Sequence, residues 1–129
     1  FHMSNSKVIL TNNAPQPIGP YSQAIMNNNT LYISGQIAII PQTGEINLSS
    51  IESETKQVME NIKAIIDAAG LTMSHIVKTS IFLTNMGNFS KVNEVYDTYF
   101  KENPPARETI QVSALPKNVN IEISVIAIK

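Results

Sequence analysis

The chain contains no cysteine. Disulfides, thiolate nucleophiles and cysteine-based metal sites are therefore excluded, and nothing calls for an oxidising compartment, so a cytoplasmic setting is expected. Histidine is almost as scarce. Phe1-His2 ahead of Met3 reads as a remnant of cloning, and without it His75 is the sole histidine. A single histidine with no HxH or HExxH spacing does not build a metal site, so no metal is expected. Charged residues make up 15% of the chain and nearly balance, at a net charge of −1. With no lysine cluster, there is no electrostatic footprint for nucleic acid or an anionic membrane. No apolar run reaches membrane-spanning length, and no signal peptide is visible. The GxGxxG, GxxxxGKS/T and GxSxG templates are missing as well.

What is present suits one globular domain, expected over residues 4–129, with 43% hydrophobic residues in a chain of 129. Residues 8–11 suit a first strand. Residues 21–26 and 31–37 flank Asn27-Asn28-Asn29-Thr30, where asparagine tolerates the positive φ of a hairpin turn. Residues 49–69 predict a helix: Ser49 and Glu52 have capping-box spacing, Val58, Met59, Ile62, Ile65 and Ile66 share one face, and Gly70 suits the position after the cap. A strand is predicted over residues 75–84, with Val77, Thr79, Ile81 and Leu83 on one side. Asn88 suits the cap of a second helix, whose stripe is Phe89, Val92, Val95, Tyr96, Tyr99 and Phe100 and which stops at Pro104-Pro105. Strands follow at 109–115 and 120–128, separated by Pro116-Lys117-Asn118. The order is three strands, helix, strand, helix, two strands. Two amphipathic helices can cover one face of a mixed sheet. The last strand carries apolar residues on both faces, so the uncovered face is expected to pack on other subunits.

Of the nine basic residues, one is arginine. Only arginine offers a planar fork of donors matched to a carboxylate or phosphate. Arg107 follows Asn103-Pro104-Pro105-Ala106 and opens a predicted strand, a setting where scaffolds place functional groups. It is either a ligand clamp or a surface ion-pair partner of Glu108 or another carboxylate. Thr109, two residues on, shares its face in extended backbone, and Glu108 points the other way.

Glu122 lies mid-strand between Ile121 and Ile123. It is either solvent-facing or held at an interface, where partial burial would raise its pKa toward proton-transfer values. Gly19-Pro20 fixes the backbone before Tyr21, which could wall a pocket or sit in an ordinary turn. Gly35, between Ser34 and Gln36, marks a bulge or a close approach of backbone to ligand. Asn93 interrupts the buried stripe of the second helix and either bonds a loop or lines a pocket.

In this order, several segments resemble the RidA/YjgF family of imine deaminases. They are Ile18-Gly19-Pro20-Tyr21-Ser22-Gln23, Ser34-Gly35-Gln36-Ile37, Thr43-Gly44-Glu45, Ala68-Ala69-Gly70, Val92-Asn93-Glu94-Val95-Tyr96, Pro105-Ala106-Arg107, Leu115-Pro116-Lys117 and Ile121-Glu122-Ile123. The resemblance spans nearly the whole chain. It implies a chorismate-mutase-like α+β two-layer sandwich, with two helices on one face of a mixed sheet, assembled as a homotrimer with ligand clefts between subunits. It implies hydrolysis of 2-iminopropanoate and 2-iminobutanoate, and their enamine tautomers, to 2-oxo acids and ammonia, with neither organic cofactor nor metal. Under that resemblance Arg107 holds the substrate carboxylate and Glu122 handles the water and the proton. Tyr21, Ser34, Gly35, Asn93 and Thr109 would bind or line the substrate.

The chain departs from the family pattern in two places. Many members carry Ser-Cys after the arginine, where this chain has Glu108-Thr109, and many carry Glu where Ser124 stands. The alternative function on the same scaffold is a regulator that senses a carboxylate ligand without turnover. Retention of Glu122 favours the enzyme.

Overall fold

The computed structural model describes residues 5–129, so the suggested remnant Phe1-His2 and the first residue of the expected domain lie outside it. The strands are β1 (Ser6–Ile9), β2 (Ala24–Asn27), β3 (Thr30–Gln36), β4 (Ile76–Leu83), β5 (Ala106–Gln111) and β6 (Ile121–Ile128). They form one sheet in the order β1-β2-β3-β6-β4-β5. Helix α1 (Ile51–Ala68) links β3 to β4, and α2 (Phe89–Asp97) links β4 to β5. Only β4 and β5 pair in parallel, as their helical crossover requires. The expected element order holds, and so does the two-layer α+β arrangement.

α1 buries Val58, Met59, Ile62, Ile65 and Ile66 against the sheet. At about 1.5–3 kcal/mol for each fully buried aliphatic side chain, this stripe outweighs the weak helix propensity of its isoleucines. The facing sheet residues are Leu31, Ile33, Ile81, Leu83, Ile121, Ile123, Val125 and Ala127, all buried. Strand alternation then puts Tyr32, Phe82, Glu122, Ser124 and Ile126 on the other face, which no helix covers. On it Val8, Ile25, Tyr32 and Ile126 form one cross-strand row. Val8 and Tyr32 remain 59% and 50% exposed, which makes the face an apolar patch. Among the described residues, no helix is long and apolar enough to cross a membrane.

The structure corrects several local expectations. The cap of α1 is Ser50, whose hydroxyl accepts from the Ser53 N–H at 3.0 Å. Ser49, one residue before the cap, instead donates to Asn47 Oδ1 at 2.8 Å. Gly70 does close the helix, at φ 77°. β2 begins at Ala24 because a turn bond from the Tyr21 N–H to the Gly19 carbonyl, at 2.8 Å, keeps Tyr21 in a loop. In β4 the register shifts between Ile76 and Lys78, so Ile76 is buried and Val77 turns out to solvent. The Asn88 side chain caps nothing. A 3-10 turn at Met86–Asn88 leads into α2, and the capping bond is Asn85 Oδ1 accepting from the Gly87 N–H at 2.8 Å. β5 spans Ala106–Gln111, so Arg107 lies within the strand rather than before it.

A buried carboxylate sets the start of β6. Glu54, fully buried in α1, accepts from the Asn120 N–H at 2.8 Å, from Asn120 Nδ2 at 2.8 Å and from the Ile121 N–H at 3.3 Å. Glu54→Ala is expected to destabilise the fold by roughly 2–4 kcal/mol, since backbone donors lose a charged acceptor where water cannot replace it. Urea unfolding at one fixed protein concentration checks this; a loss under about 1 kcal/mol would contradict it.

Candidate active site

Two clefts receive the residues singled out from the sequence. The first, of about 330 Å³, is walled by Tyr21, Ser34, Gly35, Ile37, Pro116 and Glu122. Its position follows from β3. The pairing of β3 with β6 slips between Ile33 and Gln36, so Gly35 sits in a bulge. Glu122 crosses that bulge. A Cβ on Gly35 would come within 2.7 Å of the Glu122 carboxyl carbon, so any larger residue there would push the carboxylate out of its present place. Glycine is needed for space here, not for its φ.

Buried amides hold the walls. Gln23 accepts from the Thr11 N–H at 2.8 Å and donates to the carbonyls of Thr11 at 3.0 Å and Pro15 at 2.8 Å. This ties the loop before Tyr21 to the sheet. Asn61 of α1 donates to the carbonyls of Ile37 at 3.1 Å and Ile39 at 2.9 Å, fixing the opposite wall. Ser34 lines the cleft, but its hydroxyl donates to the Ser22 carbonyl at 2.5 Å, so that hydrogen is already used. Tyr21 is half exposed, and its hydroxyl accepts a long bond from the Ile18 N–H at 3.4 Å.

Burial pushes the Glu122 carboxyl above its ordinary value of 4.5. Among the described residues no cation lies in ion-pair range of it; the ion pair found is Lys78–Glu108, at 3.0 Å. Glu122 is thus a half-buried, uncompensated carboxylate in a cleft, and burial makes it hold a proton more tightly than an exposed carboxylate does.

Arg107 lies in the second cleft, of about 530 Å³, with Asn93, Glu94, Tyr96, Asp97, Pro104 and Pro105. It pairs in register with Thr79, which is buried beneath the helices, so its side chain turns toward α2. There Nη1 donates to Asn93 Oδ1 at 2.8 Å, and the guanidinium carbon lies 5.5 Å from the Phe89 ring centre and 5.0 Å from that of Tyr96. Asn93 therefore bonds the arginine, not a loop. No carboxylate lies within 4.0 Å of the guanidinium among the described residues, so the surface ion-pair reading of Arg107 fails. Thr109 pairs with fully buried Ile81 and points the same way as Arg107; its hydroxyl oxygen is buried with no hydrogen-bond partner. Glu108 faces the open side, as strand alternation requires, and bonds the Ser80 hydroxyl and Lys78. Those two partners hold its carboxyl below the ordinary range.

Arg107 and Glu122 thus occupy separate clefts on opposite faces of one sheet. The sequence reading did not foresee this separation within the chain. It also took Phe89 and Tyr96 only as core. The usable signal was spacing: Phe89, Asn93 and Tyr96 stand at i, i+4 and i+7 on one face of α2.

Residues 11–129 match the family model described as Endoribonuclease L-PSP. A RutC family protein of Pyrococcus horikoshii is 54% identical over 123 residues, covering 95% of this chain and 98% of the relative. The human 2-iminobutanoate/2-iminopropanoate deaminase is 46% identical over 123 residues, covering 95% of this chain and 90% of that protein. The crystal structure of Escherichia coli TdcF with bound serine superposes with a TM-score of 0.92 at 40% identity, covering 95% of this chain and 98% of the other.

The raised Glu122 carboxyl carries a stability consequence. The folded protein holds that proton more tightly than the unfolded chain does. Stability from this group is whole below about pH 4 and is lost as pH rises through the folded value. Glu122→Gln, which cannot ionise, is expected to be more stable than wild type at about pH 7, with the difference closing toward about pH 4. Denaturant midpoints at the two pH values check it, and a variant less stable at neutral pH would contradict it.

Proposed function

We propose that this chain, which belongs to the Endoribonuclease L-PSP family (the RidA/YjgF/RutC proteins), hydrolyses 2-imino acids such as 2-iminobutanoate and 2-iminopropanoate to 2-oxo acids and ammonia. It does so at sites shared between the subunits of a homotrimer. The observation that carries this reading is the pair of uncompensated charges. A carboxylate without a cation and a guanidinium without an anion stand on opposite faces of the same sheet. Neither half suffices alone. The Arg107 cleft already contains Glu94 and Asp97, which disfavour an anion held wholly within it. An apolar open face calls for a partner copy, and a partner can bring its Arg107 edge against this chain's Glu122 cleft. The deaminase name of the human relative supports the reaction. The serine in TdcF supports a small ligand bearing a carboxylate and an amino nitrogen.

The chemistry follows from those groups. Arg107 offers the substrate carboxylate a planar fork, and the unpartnered Thr109 hydroxyl can add a hydrogen bond. Glu122 takes a proton from water as the oxygen attacks the iminium carbon, giving a carbinolamine. It then returns that proton to the nitrogen, which restores the carboxylate; the C–N bond breaks as the C=O bond forms, and the carbinol O–H proton leaves with the nitrogen as ammonium. A carboxyl raised by burial is matched to both halves of this cycle. Holding a small substrate beside one water supplies much of the rate gain through orientation.

Two experiments test the reading. With imine generated in situ by threonine dehydratase, Arg107→Lys is expected to lower kcat/KM by about tenfold or more, because an ammonium keeps the charge but not the fork. Glu122→Gln is expected to lower kcat by about 10²-fold or more. If wild type gives no acceleration yet binds 2-oxobutanoate, the ligand-sensing alternative replaces the enzyme. Unfolding and co-refolding a 1:1 mixture of the two impaired variants is expected to restore roughly a quarter of wild-type activity, above the mean of the two variants alone, since a quarter of randomly assorted sites would pair an intact Arg107 with an intact Glu122. Sites contained within one protomer would show only the mean residual activity of the two variants.

A further inference from the structure

We propose that Phe89 and Tyr96 form an aromatic clamp that sets the direction of the Arg107 guanidinium, with Phe89 as a positioning residue for carboxylate binding. The proposal rests on the functional reading above only for the identity of the ligand. The geometry is independent of it. Arg107 is an exposed side chain on an edge strand, and such a side chain ordinarily samples many rotamers. Here neutral groups of one helix face engage it: the Phe89 ring at 5.5 Å, the Tyr96 ring at 5.0 Å and the Asn93 amide oxygen at 2.8 Å. A carboxylate partner would hold the guanidinium more strongly but would consume the donors that a ligand needs. π faces hold the cation without using its N–H groups. Asn93 takes a hydrogen from Nη1 and leaves the rest of the fork free.

The two rings are not equivalent. Tyr96 is buried, its hydroxyl shares a 2.8 Å hydrogen bond with Thr79 Oγ1 of β4, and Phe100 packs against it at 4.8 Å between ring centres. Burial pushes its phenol up, so it stays neutral. Tyr96 is the fixed plate. Phe89 is 36% exposed at the first turn of α2 and serves as the outer plate. An aromatic side chain left that far open is weakly explained by core packing and well explained by a cation to cover.

Because Arg107 is the only arginine, the protein has a single arginine Nε–Hε resonance, assigned without further work. In wild type it should carry ring-current shifts. Phe89→Leu, which keeps apolar bulk at a partly exposed position, is expected to move that resonance and to weaken 2-oxobutanoate binding and raise KM for the imine by roughly three- to tenfold. The same variant should keep kcat within about twofold, because the proton chemistry at Glu122 is untouched. Phe89→Tyr is expected to recover both the resonance position and the affinity. An unmoved resonance overturns the proposal, as does a moved resonance with unchanged affinity, or a loss confined to kcat. If wild type fails to accelerate imine hydrolysis but still binds 2-oxobutanoate more tightly than Phe89→Leu does, the enzyme reading falls and the clamp stands. If wild type binds no carboxylate, both fall.

Discussion

The register of β6 is the constraint on which the rest of this structure depends. The strand lies at the centre of the sheet, between β3 and β4, and every second residue of it faces the helices. A slip by one residue would drive Glu122 into the core and turn Ile121 and Ile123 out. Alternation alone resists that slip weakly, because the even positions include Ile126 and Ile128 and are themselves partly apolar. The Glu54 carboxylate resolves the ambiguity. By accepting from both backbone N–H groups of Asn120 and Ile121, it defines which residue begins the strand. The glycine bulge in β3 then defines what Glu122 meets on the far side.

Glu54 belongs to a wider pattern. The buried polar side chains Gln23 and Asn61 bind backbone that borders the first cleft, and Glu54 binds the backbone that begins the strand carrying Glu122. Their hydrogen bonds are made, so their burial costs little. Against that background three groups stand out as unmatched: the Glu122 carboxylate, the Arg107 charge and the Thr109 hydroxyl. A fold that satisfies its other buried amides and carboxylates has no structural reason to leave these three open. Under the proposed function, their shared feature is a capacity to bind a small acid, its nitrogen or its water.

Much of this was legible in the sequence. Helical periodicity set α1, whose buried stripe is long, and the shorter α2, whose Val92 and Tyr96 anchor it despite the interruption at Asn93. Glu122 was conspicuous as a carboxylate in an apolar strand, and the opposed directions of Arg107 and Glu108 followed from strand alternation. What escaped was of three kinds. The bulge at Ile76 and Lys78 is a tertiary adjustment to β6 with no local signature, so Val77 was placed on the wrong face. With Ser49 and Ser50 both able to cap, the choice fell to Asn47, whose side chain captures Ser49 from outside the helix. Phe89 read as a helix-stripe residue, and Asn93 as a loop-bonding or pocket-lining break in that stripe, because their partner lies on a strand 18 and 14 residues further on, beyond any periodic pattern.

The departure beside Arg107 also takes on a defined meaning. Glu108 replaces the serine that many family members carry, and a carboxylate next to an anion clamp would ordinarily weaken it. Here the strand sends Glu108 to the open face, where Ser80 and Lys78 engage it. Its charge is answered there, and Arg107 is left to the aromatic face of α2. In a lone protomer that ion pair is partly solvated and nearly neutral in energy. On a face closed by a partner copy the same pair would be desolvated, where removing either member alone costs far more than the intact pair contributes. Under the proposed homotrimer, the substitution therefore weighs on how subunits meet rather than on how a carboxylate is held. The groups that touch Arg107, namely Phe89, Tyr96 and Asn93, are neutral and supply geometry without a direct ion pair.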